Sequence, residues 1–105
     1  MALEIESDGR TLRLRGELDV ATEPQLNEAF HPLTEGGGTL TIDLSALDFI
    51  DSSGVRAIVR GAGALGDQGI LELRDPGPAV QRVLDLMRLD TIPNVKVTHT
   101  GDPST

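Results

Sequence analysis

A chain of 105 residues is long enough for one hydrophobic core and too short for two. Its formal net charge of -8, from 17 acidic and 9 basic residues, opposes accumulation of nucleic-acid phosphates or anionic lipid at its surface. The absence of cysteine excludes disulfides and thiolate metal sites, and with Phe30 and Phe49 as the only aromatics the core must be aliphatic.

No apolar run approaches the roughly 18 residues of a membrane span, and the first residues lack the apolar stretch of a signal peptide. The expectation is a soluble, cytoplasmic protein with no direct contact to nucleic acid and no insertion into a membrane.

Residues 3–6 alternate weakly as a first strand, and Asp8-Gly9 supplies a two-residue turn because both residues tolerate positive φ. In 11–15, Leu12 and Leu14 point one way and Arg13 and Arg15 the other, the period of a half-buried strand. These segments form a hairpin, and Gly16-Glu17-Leu18-Asp19 ends it.

Thr22 stands three residues before Gln25, the spacing of a capping box, and Pro24 falls early enough in a helix to cost no hydrogen bond. Leu26, Phe30 and Leu33 follow at helical spacing, so Pro32 requires a kink or the end of the helix. Gly36-Gly37-Gly38 breaks the chain before a strand at 39–44, in which Leu40, Ile42 and Leu44 share a face.

Val55, Ile58, Val59, Ala62 and Leu65 then trace an amphipathic helix. Gly61 and Gly63 weaken it by about 1 kcal/mol each relative to alanine, so close packing is the expected reason for both. A strand at 70–74 precedes a helix opened by Pro76-Gly77-Pro78, with Val80, Val83, Leu84 and Met87 as its buried stripe. A short strand at 94–98 and a frayed tail at 101–105 complete the chain. The alternation of strands and helices gives one α/β domain over 1–105, its core about 2–99, with a small mixed, mostly parallel sheet, an N-terminal hairpin and covering helices.

Between the two apolar segments of its centre the chain carries Asp51-Ser52-Ser53-Gly54. One of these side chains is expected to cap the exposed N–H groups of the following helix. The same place leaves a hydroxyl at the positive end of a helix dipole, where a phosphate is accommodated. As a nucleophile, either serine needs a base, and His31 and His99 sit in no motif that directs them there. Nor does either serine have glycines at both second neighbours, as a nucleophile elbow requires.

Asp19, Asp43 and Asp51 invite a Mg²⁺ site, yet no phosphate-binding loop supports one, and they read as exposed acids at loop ends. Gly36-Gly37-Gly38 lacks the following lysine of a nucleotide loop and reads as a flexible turn. No metal, no cofactor and no catalytic residue is expected.

Gly16-Glu17-Leu18-Asp19, Thr22, Asp43-Leu44-Ser45 and Phe49-Ile50-Asp51-Ser52-Ser53-Gly54 together resemble the STAS domain family, and within it the bacterial anti-sigma factor antagonists of the SpoIIAA type. The resemblance runs from the first hairpin to the last strand. It implies a non-enzymatic antagonist that, unphosphorylated, binds an anti-sigma factor serine/threonine kinase and so releases a sigma factor.

It further implies phosphorylation by that kinase at Ser52, with Ser53 as second choice, and reversal by a protein phosphatase. Asp19, Thr22, Asp51, Ser52, Ser53, Gly54 and Arg56 are the partner-facing positions that the resemblance implies. Arg56 departs from the glycine often found there. A different reading within the same family is a constitutive, unphosphorylated subunit of a lipid-transport ABC complex.

Overall fold

The computed structural model describes residues 2–100. Its first two strands, β1 (Leu3–Asp8) and β2 (Thr11–Leu18), form the expected hairpin, with Ile5 opposite Leu14. The turn falls one residue later than expected. Asp8 still pairs with Thr11, and Gly9 takes the positive φ of 61° that the tight reversal demands.

Then come α1 (Glu23–Phe30), β3 (Gly38–Ile50), α2 (Ser52–Leu65), β4 (Gly69–Arg74), α3 (Pro78–Leu86) and β5 (Val95–Thr98). The sheet order is β1-β2-β3-β4-β5, and every pair after the hairpin is parallel. Each crossover steps in the same direction, so right-handed connections bring all three helices to one face.

Burial follows from that arrangement. Leu12, Leu14, Leu40, Ile42, Leu71 and Leu73 are sealed beneath Leu26, Ile58 and Leu84 of the helices. The opposite face carries Glu4, Glu6, Arg13, Arg15 and Lys96, all exposed. At roughly 2 kcal/mol for each fully buried leucine, the one-sided aliphatic layer is the main stabilising element.

Several expectations are corrected. The central strand continues past Leu44 to Ile50, because β3 holds two more residues than β2 between the pairs Arg13–Asp43 and Leu18–Ile50. These bulges keep Leu44, Leu47 and Ile50 buried at a spacing of three, which breaks the period-two pattern. β2 likewise runs on to Leu18. Gly16 permits this: it holds a φ of 104°, and a side chain there would collide with the Ala2 carbonyl.

The capping box does not form. Thr22 is the N-cap residue of α1 but makes no side-chain cap bond, and Gln25 Nε2 instead donates to the Leu3 carbonyl at 3.1 Å. α1 ends at Phe30, and a tight 3-10 turn (His31–Leu33) carries Pro32 without a kink.

Met87 is 44% exposed, because α3 stops before it. Arg88 enters the left-handed region (φ 59°) and turns Leu89 into the core instead. Gly61 packs against the Phe30 ring as expected, whereas an added Cβ at Gly63 would touch nothing within 4 Å. Thr100 is tied by two hydrogen bonds to Asp75. The tail expected at 101–105 lies outside the described residues.

Candidate functional site

The site is built where β2 and β3 end together. Leu18 pairs with Ile50, so Asp19 and Asp51 leave the sheet from adjacent strands. Asp51 N–H donates to the Leu18 carbonyl at 3.2 Å, which fastens the two exits to each other.

α2 begins at the next residue. Asp51 is extended (φ -119°, ψ -174°), its carbonyl accepts from Val55 N–H at 3.0 Å, and its Oδ1 accepts from Gly54 N–H at 3.1 Å. This is an aspartate N-cap, as the sequence led one to expect of the junction. The absent side chain of Gly54 then lets the first turn rest on the sheet. A Cβ there would lie 2.8 Å from Ile50 Cγ1, 2.8 Å from Leu18 Cγ and 2.9 Å from the Leu18 carbonyl oxygen.

That seating decides which side chains reach solvent. Ser52 and Arg56 are exposed, Asp19 and Asp51 half-buried, and Thr22, Ser53 and Gly54 buried. Arg56 Nη2 donates to Ser53 Oγ at 3.3 Å. The two serines are therefore unequal: one points outward, the other is covered and already bonded.

The preceding loop is held by its own polar groups. Asp19 Oδ1 accepts from the N–H groups of Ala21 at 3.0 Å and Thr22 at 3.1 Å. Thr22 Oγ1 accepts from Asp19 N–H and donates to the Glu17 carbonyl, both at 2.9 Å. With Thr22 only 4% exposed, its hydroxyl is committed to shaping the Asp19 loop and has no surface to offer a partner.

Asp43 stands apart from these acids, on the open sheet face, where its Oδ1 accepts from Ser45 Oγ at 2.7 Å and its Oδ2 lies 3.6 Å from Arg13. A shallow cavity of about 400 Å³ on that face is lined by Glu4, Glu6, Arg13, Arg15 and Asp43. Among the described residues no group of three or more His, Asp or Glu side chains is placed to hold a metal ion.

His99 Nε2 faces Gln81 Oε1 at 3.1 Å, and His31 is exposed at the end of α1. Neither imidazole is hydrogen-bonded to Ser52 or Ser53 among the described residues. Nor is any helix among them long and apolar enough to cross a membrane.

The exposure of apolar groups around the junction departs from the sequence reading, which set Val59 on the apolar stripe of α2 and gave Val20 and Phe49 no exposed face. Val20 is 70% exposed just beyond Asp19, Phe49 47% exposed on the open sheet face, and Val59 lies two helical turns after Ser52. The bulges of β3 carried the signal for Phe49: once they are placed, Ile50 pairs inward and Phe49 must point out.

Comparison with known proteins bears on this geometry. A family model described as "Mlab, STAS domain" matches residues 1–97. The anti-sigma-B factor antagonist of Bacillus subtilis (strain 168) is 30% identical over 91 residues, covering 86% of this chain and 84% of that protein.

Among solved structures, an anti-sigma factor antagonist from Mycobacterium paratuberculosis superposes with a TM-score of 0.75 at 26% identity, over 90% of this chain and 84% of that one. The anti-sigma factor antagonist SpoIIAA in its unphosphorylated form gives 0.70 at 27% identity, over 92% and 88%. The match of the family model over residues 1–97, with a hairpin-led mixed sheet shared with these antagonists, places the chain in the STAS domain family.

Proposed function

We propose that the protein is a cytoplasmic anti-sigma factor antagonist whose partner is an anti-sigma factor serine/threonine kinase, and that phosphorylation of Ser52 switches the pair apart. The observation that carries this reading is the exposed Ser52 at the first position of α2, beside the capping Asp51, while Ser53 is 8% exposed and bonded to Arg56. Access supports Ser52 over Ser53 as the modified residue. Antagonist relatives at 30% and 27% identity support the partner class.

The switch is a local electrostatic event. The kinase would transfer the γ-phosphoryl group of ATP: the bond from Ser52 Oγ to phosphorus forms, the bond from phosphorus to ADP breaks, and the hydroxyl proton leaves. About -1.5 to -2 charges are added next to Asp51 and Asp19. A partner that covers Ser52 together with Val20, Phe49 and Val59 must desolvate that charge, and each ~1.4 kcal/mol of cost lowers affinity tenfold. A protein phosphatase reverses the step by hydrolysis.

The test uses the kinase captured from the source cells. Ser52→Ala is expected to bind it as the parent does and to resist release by ATP, whereas Ser52→Asp binds at least tenfold more weakly. Equal binding by the two variants, with ATP releasing Ser52→Ala as readily as the parent, overturns the mechanism.

Membership of the STAS family leaves one other reading, a constitutive, unphosphorylated subunit of a lipid-transport ABC complex. It predicts copurification with an ATPase and a permease, with Ser52 unmodified.

A further inference from the structure

Arg56 lies four residues after Ser52 and three after Ser53, so on α2 all three belong to one strip of surface. Side chains of a helix lean toward its N-terminus, over the preceding turn. The structure shows this lean directly, since Arg56 Nη2 reaches Ser53 Oγ at 3.3 Å.

Arg56 also differs from most arginines of the chain. Arg13, Arg60, Arg74 and Arg88 pair with carboxylates, and the Arg10 guanidinium is taken up by three backbone carbonyls. Among the described residues Arg56 has one partner, a neutral hydroxyl. A guanidinium offers five donors in a planar fork, and this one is exposed and uses a single donor.

We infer that Arg56 is the positioning residue for the phosphorylated state: its guanidinium swings from Ser53 Oγ to the phosphate carried by Ser52 and holds it against α2. This deepens the proposed switch and rests on it. Arginine and phosphate make charge-assisted, often bidentate hydrogen bonds, roughly twice as strong as the neutral bond that Arg56 makes to Ser53.

The surrounding acids oppose the added charge. Asp51 adjoins Ser52, and Asp19 leaves the neighbouring strand just after Leu18, the partner of Ile50, so the phosphate enters a negative field. Kept on its own helix, the phosphate is withdrawn from any cation that a partner offers it. Arg56 thereby sharpens the off state.

The test places phosphoserine at position 52 by genetic encoding in the full chain, so it needs no kinase. Phosphorus NMR follows the second ionisation of the phosphate in the parent, in Arg56→Gln and in Arg82→Gln, which removes an exposed arginine on α3. Expected is a second pKa higher by roughly half a unit in Arg56→Gln than in the parent, with Arg82→Gln unchanged. The change in melting temperature caused by the phosphate should be less favourable in Arg56→Gln than in the parent, with Arg82→Gln unchanged.

Equal ionisation in parent and Arg56→Gln overturns the inference. So does an equal shift in Arg82→Gln, which would report only net charge. If cells never modify Ser52, the switch fails, while the phosphorus titration still decides whether Arg56 holds a phosphate at that position.

Discussion

Of the chain's three passages from strand to helix, two leave strands with parallel neighbours on both sides, and they are built differently. From β3 to α2 the connection is Asp51 alone, whose carboxylate caps Gly54 N–H and whose neighbour Ser52 faces solvent. From β4 to α3 the connection is Asp75-Pro76-Gly77, the cap residue is Gly77 without a side-chain bond, and Pro78 opens the helix. Asp75 there turns away into the left-handed region (φ 53°) and accepts from Thr100 N–H and Oγ1. One junction presents a hydroxyl on a tightly seated helix; the other commits its acid to Thr100 and offers no side-chain donor. Position in the fold is thus permissive, and the side chains at the turn decide whether a strand-to-helix junction can receive a modification.

The sharpest contrast is steric. A Cβ on Gly54 would lie 2.8 to 2.9 Å from Ile50, Leu18 and the Leu18 carbonyl, whereas a Cβ on Gly77 meets nothing within 4 Å. Gly54→Ala gains about 1 kcal/mol of helix propensity and forfeits more to overpacking, since a strand carbonyl cannot rotate aside. The expected net loss is about 2 kcal/mol in urea denaturation, against a change within about 0.5 kcal/mol for Gly77→Ala. Equal losses would mean that the seating of α2 is not what separates the junctions.

A smaller effect tests the caps themselves. Replacing Asp51 by alanine removes the acceptor of Gly54 N–H and should cost about 1 kcal/mol, while Asp51→Gly, which copies the cap of α3, should cost a few tenths. Thermal melts of the two variants give the comparison. If Asp51→Gly were as damaging as Asp51→Ala, the carboxylate and not the backbone geometry of the cap would govern the first turn.

Much of the architecture was legible because it rests on local patterns. Leu12 and Leu14 alternate with arginines, Val55, Ile58, Ala62 and Leu65 repeat at helical spacing, and glycine or proline punctuates most boundaries. The junction was legible for the same reason, as an acid followed by serines between two apolar runs. What escaped depends on partners far away in the chain.

The guanidinium of Arg10 pins the hairpin to the carbonyls of Leu33, Gly37 and Thr39, which lie 23 to 29 residues later, so nothing beside Arg10 announces the contact. The bulges of β3 exist only relative to β2, and with them went the outward direction of Phe49. Thr22 had the right spacing for a capping box, yet the Glu17 carbonyl and Asp19 N–H claimed its hydroxyl first.

The smallest expected effect concerns the acid on β4, the strand that leads into the second junction. Glu72 accepts from Thr41 Oγ1 at 2.7 Å and Thr98 Oγ1 at 2.8 Å, which, with Arg74 beside it, hold its carboxyl below the usual 4.5. A carboxyl depressed in the folded state lends stability that is fully present above its unfolded value and is lost as pH falls through the folded one. Glu72→Gln keeps the shape and one acceptor oxygen but cannot titrate. Between about pH 6 and pH 3 its melting temperature should therefore fall a few degrees less than that of the parent. An identical fall in both proteins would move the acid sensitivity away from the ladder of Thr41, Glu72 and Thr98. The contrast between the junctions would then reduce to packing at Gly54 and the cap at Asp51, with no share for the acid of β4.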